Sequence, residues 1–292
     1  QQARPLPGTE RVPPAGLLLT GILSIQFGAA FAVKLFDELG PSGTSLLRLG
    51  TAGLLLWLLW RPRVRGLTAE QRRAVVVFGL ILGAMNLTFY EAIETIPIGT
   101  AVTIEFAGPL AVAIAFSRRR TDIAVAALAG LGVVLVTDPW GGGIDTVGLM
   151  FALAAGTFWA LYILAAQHAS RHFNGSDGVT IAMVIGIAVP LIPGVIQAGS
   201  ALLDPKLIAF GALVGIFSSV VPYSLETEAL RRLPARVFSI LLSLEPAVAA
   251  LAGLIVLGQK LAPPQLVGIV AVVAASIIVT GTEAEPPAVP EA

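Results

Sequence analysis

The sequence predicts an all-α membrane protein in which ten transmembrane helices form two inverted five-helix repeats around a central cavity. Three observations predict this fold: an apolar composition, ten apolar runs of spanning length and an internal repeat. Hydrophobic residues make up 56% of the 292-residue chain and charged residues only 12%, whereas an ordinary soluble domain has about 25% charged residues. Apolar side chains at this density need lipid as part of their solvent.

The apolar runs define the individual helices, because a spanning helix needs about 20 mostly apolar residues. The predicted helices cover residues 15–36, 44–60, 74–95, 98–116, 122–138, 146–167, 178–198, 206–229, 236–257 and 264–281. The first run follows a polar tail, residues 1–14, and is long enough to span, so we expect no cleavable signal peptide. Residues 282–292 are acidic and proline-rich and predict a disordered tail.

The basic residues predict the orientation in the membrane. With the N-terminus in the cytoplasm, 14 of the 18 lysines and arginines fall on cytoplasmic segments, as the positive-inside rule requires. The other four are Lys34, Lys206 and Lys260 on the outer side and Arg48 inside a span. Both termini and the disordered tail are therefore predicted to be cytoplasmic.

A stretch of the first half recurs in the second. Residues 86–113 align with the second half at a shift of 137 positions, which places Glu91 on Glu228 and Pro109 on Pro246. Because five helices per half is an odd number, the second half is predicted to be inverted, and the basic residues of paired loops change sides accordingly. In many secondary transporters the substrate lies where such inverted repeats meet.

Two carboxylates inside predicted helices 4 and 9 are candidates for substrate binding. The repeat places Glu105 at position 242, three residues from Glu245, so the two acids should occupy related places on nearly the same helix face. An ionisable group at the bilayer centre costs roughly 3 kcal/mol and normally faces the protein interior or water. Two interpretations stay open: a pair that binds substrate or carries protons, and a pair bonded to neighbouring hydroxyls for packing.

Polar and aromatic side chains on predicted helices 1, 3, 6 and 8 are candidates for the remaining cavity lining. They are Gln26, Asn86, Tyr90, Trp159, Tyr162 and Tyr223. Asn86 and Tyr90 share one face of helix 3, and the repeat maps Asn86 onto Tyr223. The amide of Gln26 would be unsatisfied against lipid. The alternative for each residue is a hydrogen bond or packing contact between helices.

Two further charged residues are candidate charge partners. Arg48 lies one turn into predicted helix 2, where it can pair with a carboxylate, bind a substrate carboxyl group or snorkel to the interface. Glu226 lies on the same face of helix 8 as Tyr223.

The residues also exclude several classes of function. The chain has no cysteine, which excludes disulfides, thiol catalysis and cysteine metal sites. Acids and bases balance at 18 each, which argues against a nucleic-acid partner. His168 and His172 have no third metal ligand in view, which argues against a metal site. They also lie a membrane away from Ser42, so neither histidine can act as the base that activates that serine as a nucleophile. We expect no metal, no cofactor and no enzymatic activity.

Five segments carry a resemblance to a known family: SIQFGAAFAVKLF (24–36), LLRLGTAGLLL (46–56), GAMNLTFYEAIETIPIGTAVTIEFAGPLAVA (83–113), FWALYIL (158–164) and VPYSLETEALRRLPARVFSILLSLEPAVAALAGLIVLGQKL (221–261). They resemble the drug/metabolite transporter superfamily in its EamA-domain branch. Within that branch, the runs IEFAGPLAVA and LPARVFSILLSLEPAVAA look most like the bacterial threonine/homoserine exporters. One departure is Gly258-Gln259, where the superfamily usually has a Gly-Glu pair.

The resemblance implies two EamA repeats, residues 15–138 and 146–281, in a multi-pass protein of the bacterial inner membrane. It implies a secondary transporter that exports threonine/homoserine-like and other neutral amino acids by alternating access, with protons as a candidate coupling ion. The amino-acid substrate and the lipid bilayer are then its partners. The alternatives are an exporter of aromatic amino acids or other metabolites and, more remotely, a membrane enzyme or a membrane protein without transport activity.

Overall fold

The computed structural model describes residues 12–116, 121–138, 143–173 and 177–282, and this part of the chain is helical with no strand. The predicted tails, residues 1–14 and 282–292, lie almost entirely outside the described residues, as do the predicted cytoplasmic arginines 118–120.

The described residues form fourteen α-helices. Their bounds are α1 Pro14–Val33, α2 Phe36–Trp60, α3 Ala69–Thr95, α4 Ile98–Glu105, α5 Ala107–Phe116, α6 Thr121–Val136, α7 Thr146–Ser170, α8 Asp177–Gly186, α9 Ala188–Ala198, α10 Pro205–Gly215, α11 Val221–Leu230, α12 Ala235–Leu242, α13 Glu245–Leu257 and α14 Pro263–Thr282. A 3-10 helix, Gly199–Leu203, follows α9, and a π-helix, Ile216–Val220, joins α10 to α11.

Eight helical segments of the described chain are long and apolar enough to cross a bilayer, and shorter apolar helices lie at Ile123–Val136 and Pro263–Ile278. The protein is therefore an all-helical, multi-pass membrane protein. Several of the eight are pairs of consecutive helices, such as α4 with α5 and α8 with α9, which together make one span.

Prolines account for the breaks within these spans. The break between α4 and α5 lies at Phe106, three residues before Pro109, and α8 ends just before Ile187, three residues before Pro190. The break between α12 and α13 comes just before Pro246, which is the repeat-equivalent of Pro109. Proline has no N–H and its ring collides with the carbonyl four residues earlier, so the helix before it is interrupted.

Helix α2, Phe36–Trp60, consists of two helical segments that meet at a kink at Gly40. Gly40 adopts a φ of 63°, which glycine tolerates without strain. The second segment begins at Pro41, three residues before the predicted start at residue 44, because polar and turn-forming residues occupy its first turn. Arg48 therefore lies about two turns into this segment, where the sequence predicts one.

The helices pack across the two halves of the chain. Helix α1 contacts α11 and α13, α3 contacts α7 and α8, α4 contacts α7 and α13, and α6 contacts α14. The ends of α3 and α4 and part of α2 form the most tightly buried apolar region, where Leu39, Tyr90, Ile93, Ile96 and Ile98 are each at most 2% exposed. We call the end of the bundle that contains this region the outer end.

Gln259 links α13 to the start of α4 at the outer end. Its Oε1 accepts a hydrogen bond from the backbone N–H of Ile98 at 3.1 Å, in the first turn of α4. At the position where the superfamily usually has glutamate, an amide oxygen therefore satisfies a helix N-terminus that would otherwise lack an acceptor.

We expect Gln259→Ala to lower the free energy of unfolding by about 1 kcal/mol, because the Ile98 N–H loses its acceptor. Gln259→Glu should retain or raise stability, since a carboxylate accepts the same bond and is favoured at a helix N-terminus. Thermal unfolding in detergent measures both variants. Gln167→Ala is the control, because Gln167 is exposed and has no side-chain hydrogen bond among the described residues. Equal stability of the two alanine variants would contradict the capping role.

Candidate functional site

One cavity of about 470 Å³ lies among helices from both halves of the chain. Nine of the ten predicted site residues line it: Gln26, Arg48, Asn86, Glu105, Trp159, Tyr162, Tyr223, Glu226 and Glu245. The tenth, Tyr90, does not. Lining residues that the sequence analysis did not single out include Phe89, Phe106, Ser239 and Ser276. Ser239 and Ser276 are polar residues in strongly apolar runs, which was the only signal for them.

The two candidate carboxylates lie at the breaks of their spans. Glu105 is the last residue of α4 and Glu245 is the first residue of α13. They are 8% and 7% exposed, and both line the cavity. In the described part of the chain neither carboxylate has a hydrogen bond or an ion pair with another side chain. This arrangement does not support the interpretation in which hydroxyls hold them for packing.

Arg48 is the only basic residue among the described residues that line the cavity. Its Nε donates to Ser219 Oγ at 3.1 Å and its Nη2 donates to the Ser218 carbonyl at 2.9 Å. The side chain is 4% exposed, so snorkelling to the interface is wrong. Arg48 lies about two turns into the segment of α2 that follows the Gly40 kink, and it lines the cavity. These hydrogen bonds fix its position and leave other N–H groups for a ligand.

The partners of Arg48 come from the π-helix before Pro222. Pro222 has no N–H to offer to the preceding turn, and two carbonyls of that turn accept hydrogen bonds from side chains instead. Arg48 donates to the Ser218 carbonyl and Ser24 Oγ donates to the Phe217 carbonyl at 2.6 Å. Single-turn π-helices are frequent at functional sites.

Tyr90 lies behind Arg48, away from the cavity, which contradicts its predicted place in the lining. It is 0% exposed, and the guanidinium carbon of Arg48 is 5.2 Å from the centre of its ring. Its hydroxyl has no hydrogen-bond partner among the described residues. A guanidinium above an aromatic face is stabilised by the ring electrons, so Tyr90 supports Arg48 and does not itself face a ligand. The spacing of residues places Tyr90 on the predicted polar face of α3. Spacing alone, however, does not distinguish the residues that line the cavity from those packed behind them.

The amides of Gln26 and Asn86 supply uncharged hydrogen-bonding groups. Asn86 Nδ2 donates to the Leu82 carbonyl of its own helix at 2.9 Å, and its side-chain oxygen has no donor among the described residues. Gln26 is 4% exposed and, within the described chain, has no hydrogen bond from its side chain. Both amides can therefore bind a polar group placed in the cavity.

Aromatic rings form one wall. Trp159 packs edge-on against Phe106 with ring centres 5.5 Å apart, and Tyr162 lies 5.2 Å from Phe78. The hydroxyl groups of Tyr162 and Tyr223, which both belong to the second half, interact with each other. This wall gives the cavity an apolar surface beside its charged groups.

Polar contacts join helices at the outer end of the bundle. Ser42 Oγ donates to Glu91 Oε1 at 2.5 Å, and the Ser42 backbone N–H donates to Gln197 Oε1 at 2.8 Å. These bonds join α2, α3 and α9. At the other end, which we call the inner end, Glu226, Ser239 and other lining residues are only half-buried.

The bundle and its charged central cavity define a membrane transport protein, and sequence comparison identifies the family. Residues 146–281 match the EamA-like transporter family. The chain is 42% identical over 279 residues to the threonine/homoserine exporter RhtA of Escherichia coli K12. The aligned residues cover 93% of this chain and 94% of that protein. The chain is 40% identical over 278 residues to RhtA of Salmonella typhimurium LT2, with the same coverage. The chain therefore belongs to the EamA-like transporter family.

More distant proteins share the fold. An uncharacterized transporter of Bacillus subtilis, YwfM, is 27% identical over 238 residues, which cover 78% of this chain and 79% of that protein. A protein of known crystal structure superimposes with a TM-score of 0.57 at 17% identity, over 91% of this chain and 96% of its own. The matches to the two RhtA proteins confirm the predicted family resemblance.

Close backbone contacts hold Glu105 in place. A Cβ added to Gly156 would lie 2.8 Å from the carbonyl oxygen of Glu105, and one added to Gly108 would collide with the carbonyl of Gly156. The break between α4 and α5 therefore rests directly on α7. Any side chain at Gly156 must push Glu105 away from this position.

We expect Gly156→Ala to lower the free energy of unfolding by about 1–3 kcal/mol, as overpacking does. Gly130→Ala in α6 is the matched control, because a Cβ there meets no described atom within 4 Å. It should be neutral or stabilising by up to about 1 kcal/mol, since alanine is the better helix former. Denaturation in detergent compares the two. If Gly156→Ala is as stable as Gly130→Ala, the close contact does not hold Glu105.

Proposed function

We propose that the protein is a secondary transporter of the bacterial inner membrane that exports threonine/homoserine-like and other neutral amino acids by alternating access. The observation that carries this proposal is a buried cavity with carboxylates and a fixed guanidinium in its lining. A zwitterion needs a partner for its ammonium group and another for its carboxylate. The threonine/homoserine exporters, 42% identical over 93% of the chain, support the same substrate class.

In this proposal each end of the amino acid has a candidate partner. Glu105 or Glu245 accepts hydrogen bonds from the ammonium group, and Arg48 donates to the carboxylate. The bonds from Arg48 to Ser219 and Ser218 hold the guanidinium in place before substrate arrives, which reduces the entropy lost on binding. Asn86 and Gln26 can bond to a side-chain hydroxyl, and Trp159, Tyr162 and Tyr223 can pack against the aliphatic part.

The proposal includes coupling to protons. A carboxyl group in an apolar site can bind a proton when the ammonium group leaves and release it when the next substrate arrives. Glu105 and Glu245 have this opportunity because neither is committed to another described side chain. Oppositely directed movement of a proton and an amino acid would then follow from competition for one carboxylate.

The proposed architecture is ten spans in two inverted repeats, residues 15–138 and 146–281. The helix contacts support it, because contacts of the first half have counterparts in the second. The contact of α3 with α7 corresponds to that of α11 with α1, and the contact of α5 with α7 corresponds to that of α13 with α1. Helices α6 and α14, which the repeat makes equivalent, contact each other as equivalent partners would.

The proposed orientation places the inner end and both termini in the cytoplasm. It is supported by the arginines at helix boundaries of the inner end, where α2 and α11 finish and α3 begins. Arg61, Arg72, Arg231 and Arg232 are among them. The cavity then opens toward the cytoplasm, where an exporter collects its substrate.

Alternating access requires closure at one end at a time, and the two repeat-equivalent acids differ in this respect. At the outer end Glu91 accepts a hydrogen bond from Ser42 of another helix, α2. At the inner end Glu228 accepts bonds from Arg231 and Arg232 at the end of its own helix, α11. We propose that the Ser42–Glu91 bond keeps the outer end closed in this inward-open state.

A second candidate function is export of aromatic amino acids. The wall formed by Phe106, Trp159, Tyr162 and Tyr223 favours it, because aromatic rings pack well against one another. Competition between threonine and phenylalanine in the assay below distinguishes the two.

The proposed function predicts that purified protein in liposomes exchanges radiolabelled threonine or homoserine for unlabelled amino acid. Glu105→Gln and Glu245→Gln should each reduce this exchange at least tenfold, because the amide keeps the volume but removes the charge that binds the ammonium group. At least one of them should flatten the pH dependence of net export. Rates are normalised to folded, inserted protein.

Glu94→Gln is the control, since Glu94 is exposed at the end of α3 and does not line the cavity. Loss of folded protein without loss of turnover per molecule would favour a structural role of the two acids. Absence of exchange for every amino acid in the wild type would overturn the proposed function.

The proposed outer closure makes a separate prediction. Ser42→Ala removes the bond to Glu91, and a bond to a charged group contributes about 1.5–3 kcal/mol, so outward opening should become at least tenfold more frequent. A cysteine at Ala29, the outermost lining residue of α1, reports this as faster labelling by an impermeant maleimide from outside. Ser45→Ala is the control, because the Ser45 hydroxyl has no partner in the described chain. Equal labelling of both variants would overturn the closure.

A further inference from the structure

The cavity contains more negative than positive groups. Three carboxylates line it, those of Glu105, Glu226 and Glu245, against the single guanidinium of Arg48 among the described lining residues. In the described chain no ion pair joins Arg48 to any of the three. A neutral amino acid occupies one carboxylate and the guanidinium, and its own net charge is zero. Two carboxylates therefore remain without a counter-charge after it binds.

Glu226 is the carboxylate that the proposed zwitterion site does not use. It lies on α11 about one turn beyond Tyr223, toward the inner end, and Glu245 lies within electrostatic range of both Glu226 and Glu105. The backbone of α1 packs against its stem, since a Cβ added to Gly21 would be 3.5 Å from Glu226 Cγ. Helix α1 contributes no basic residue to this contact. Among the described residues Glu226 forms no ion pair.

Independent groups also point to a ligand at this place. Gln26, 4% exposed, has a side-chain amide that faces the cavity without a described partner. Glu245, 7% exposed, is likewise unpartnered. Buried polar groups are normally hydrogen-bonded, and buried carboxylates without a counter-charge are costly. A bound group that supplies both a positive charge and N–H donors satisfies all of them.

We propose that Glu226 and Glu245 form a second cation subsite, which makes diamino monocarboxylic acids preferred substrates of this transporter. This inference rests on the proposed exporter site and extends its substrates from neutral amino acids to those with a second ammonium group. Arg48 binds the carboxylate and Glu105 binds the α-ammonium group. The side-chain ammonium then lies between Glu226 and Glu245, within reach of the Gln26 amide oxygen. The substrate's net charge of +1 lowers the uncompensated charge of the cavity, which a neutral amino acid leaves unchanged.

Three four-carbon amino acids test the proposal, because they differ mainly in the charge of the terminal group. Homoserine carries a hydroxyl, 2,4-diaminobutyrate an ammonium group and aspartate a carboxylate. Each is added outside proteoliposomes as a competitor of labelled homoserine exchange, at a pH where the second amine is protonated. We expect 2,4-diaminobutyrate to compete at a concentration at least tenfold lower than homoserine does, and aspartate to compete weakly or not at all.

Glu226→Gln identifies the residue responsible. The measured ratio is the half-inhibitory concentration of homoserine divided by that of 2,4-diaminobutyrate. In this variant the ratio should fall at least tenfold, because the amide does not attract the second ammonium group. The ratio is measured within one preparation, so it does not depend on how much protein is folded. Glu94→Gln, whose side chain lies outside the cavity, should keep the wild-type ratio.

The outcomes separate this inference from the function beneath it. Homoserine exchange without preferential competition by 2,4-diaminobutyrate would overturn the second subsite and leave the proposed exporter function intact. Protons would then neutralise the carboxylates of the cavity. A preference that persists unchanged in Glu226→Gln would overturn the assignment to Glu226. Absence of exchange for all amino acids would overturn the proposed function itself.

Discussion

Backbone hydrogen bonding inside an apolar solvent is the constraint on which the rest of this structure depends. Lipid offers no partner to a free carbonyl, so each carbonyl that a proline deprives of its donor must be satisfied within the protein. Before Pro222, this requirement brings Arg48 to the Ser218 carbonyl and Ser24 to the Phe217 carbonyl. Before Pro109 and Pro246, the spans break and present Glu105 and Glu245 at helix ends. The prolines that interrupt the helices thus also place the charged groups that line the cavity.

The cavity is organised by electrostatics as well as by backbone geometry. Its single guanidinium is held by neutral oxygens and an aromatic ring, and no carboxylate of the described chain neutralises it. A direct ion pair with Glu105 would have been the simplest way to bury both charges, but it would leave nothing for a ligand. Because the opposite charges stay apart, each can form an ion pair with the substrate. This is consistent with a carrier that must bind and release its substrate at each cycle.

Much of the site could be predicted from sequence because polar residues are rare in these spans and each needs an explanation. Nine of the ten candidates line one cavity. The failures have physical causes. Tyr90 lies on the predicted helix face, but spacing alone does not separate the lining from the layer behind it. Arg48 seemed one turn from a helix end because polar residues hide the start of its segment of α2 at Pro41. Ser218 was missed as a partner of Arg48 because its role depends on a π-helix, which has no reliable sequence pattern.

The sequence by itself determined the membrane environment, the family, the helical character of the apolar runs and the residues that carry charge within them. Composition and periodicity are enough for these, because hydrophobic burial and backbone satisfaction act on each segment separately. Only the tertiary structure decided which charged groups meet and which remain unpaired among the described residues. Those outcomes depend on contacts such as Ser42 with Glu91 and Arg48 with Ser219, between residues 49 and 171 positions apart in the chain. Contacts at such separations follow from helix packing, which no local pattern encodes.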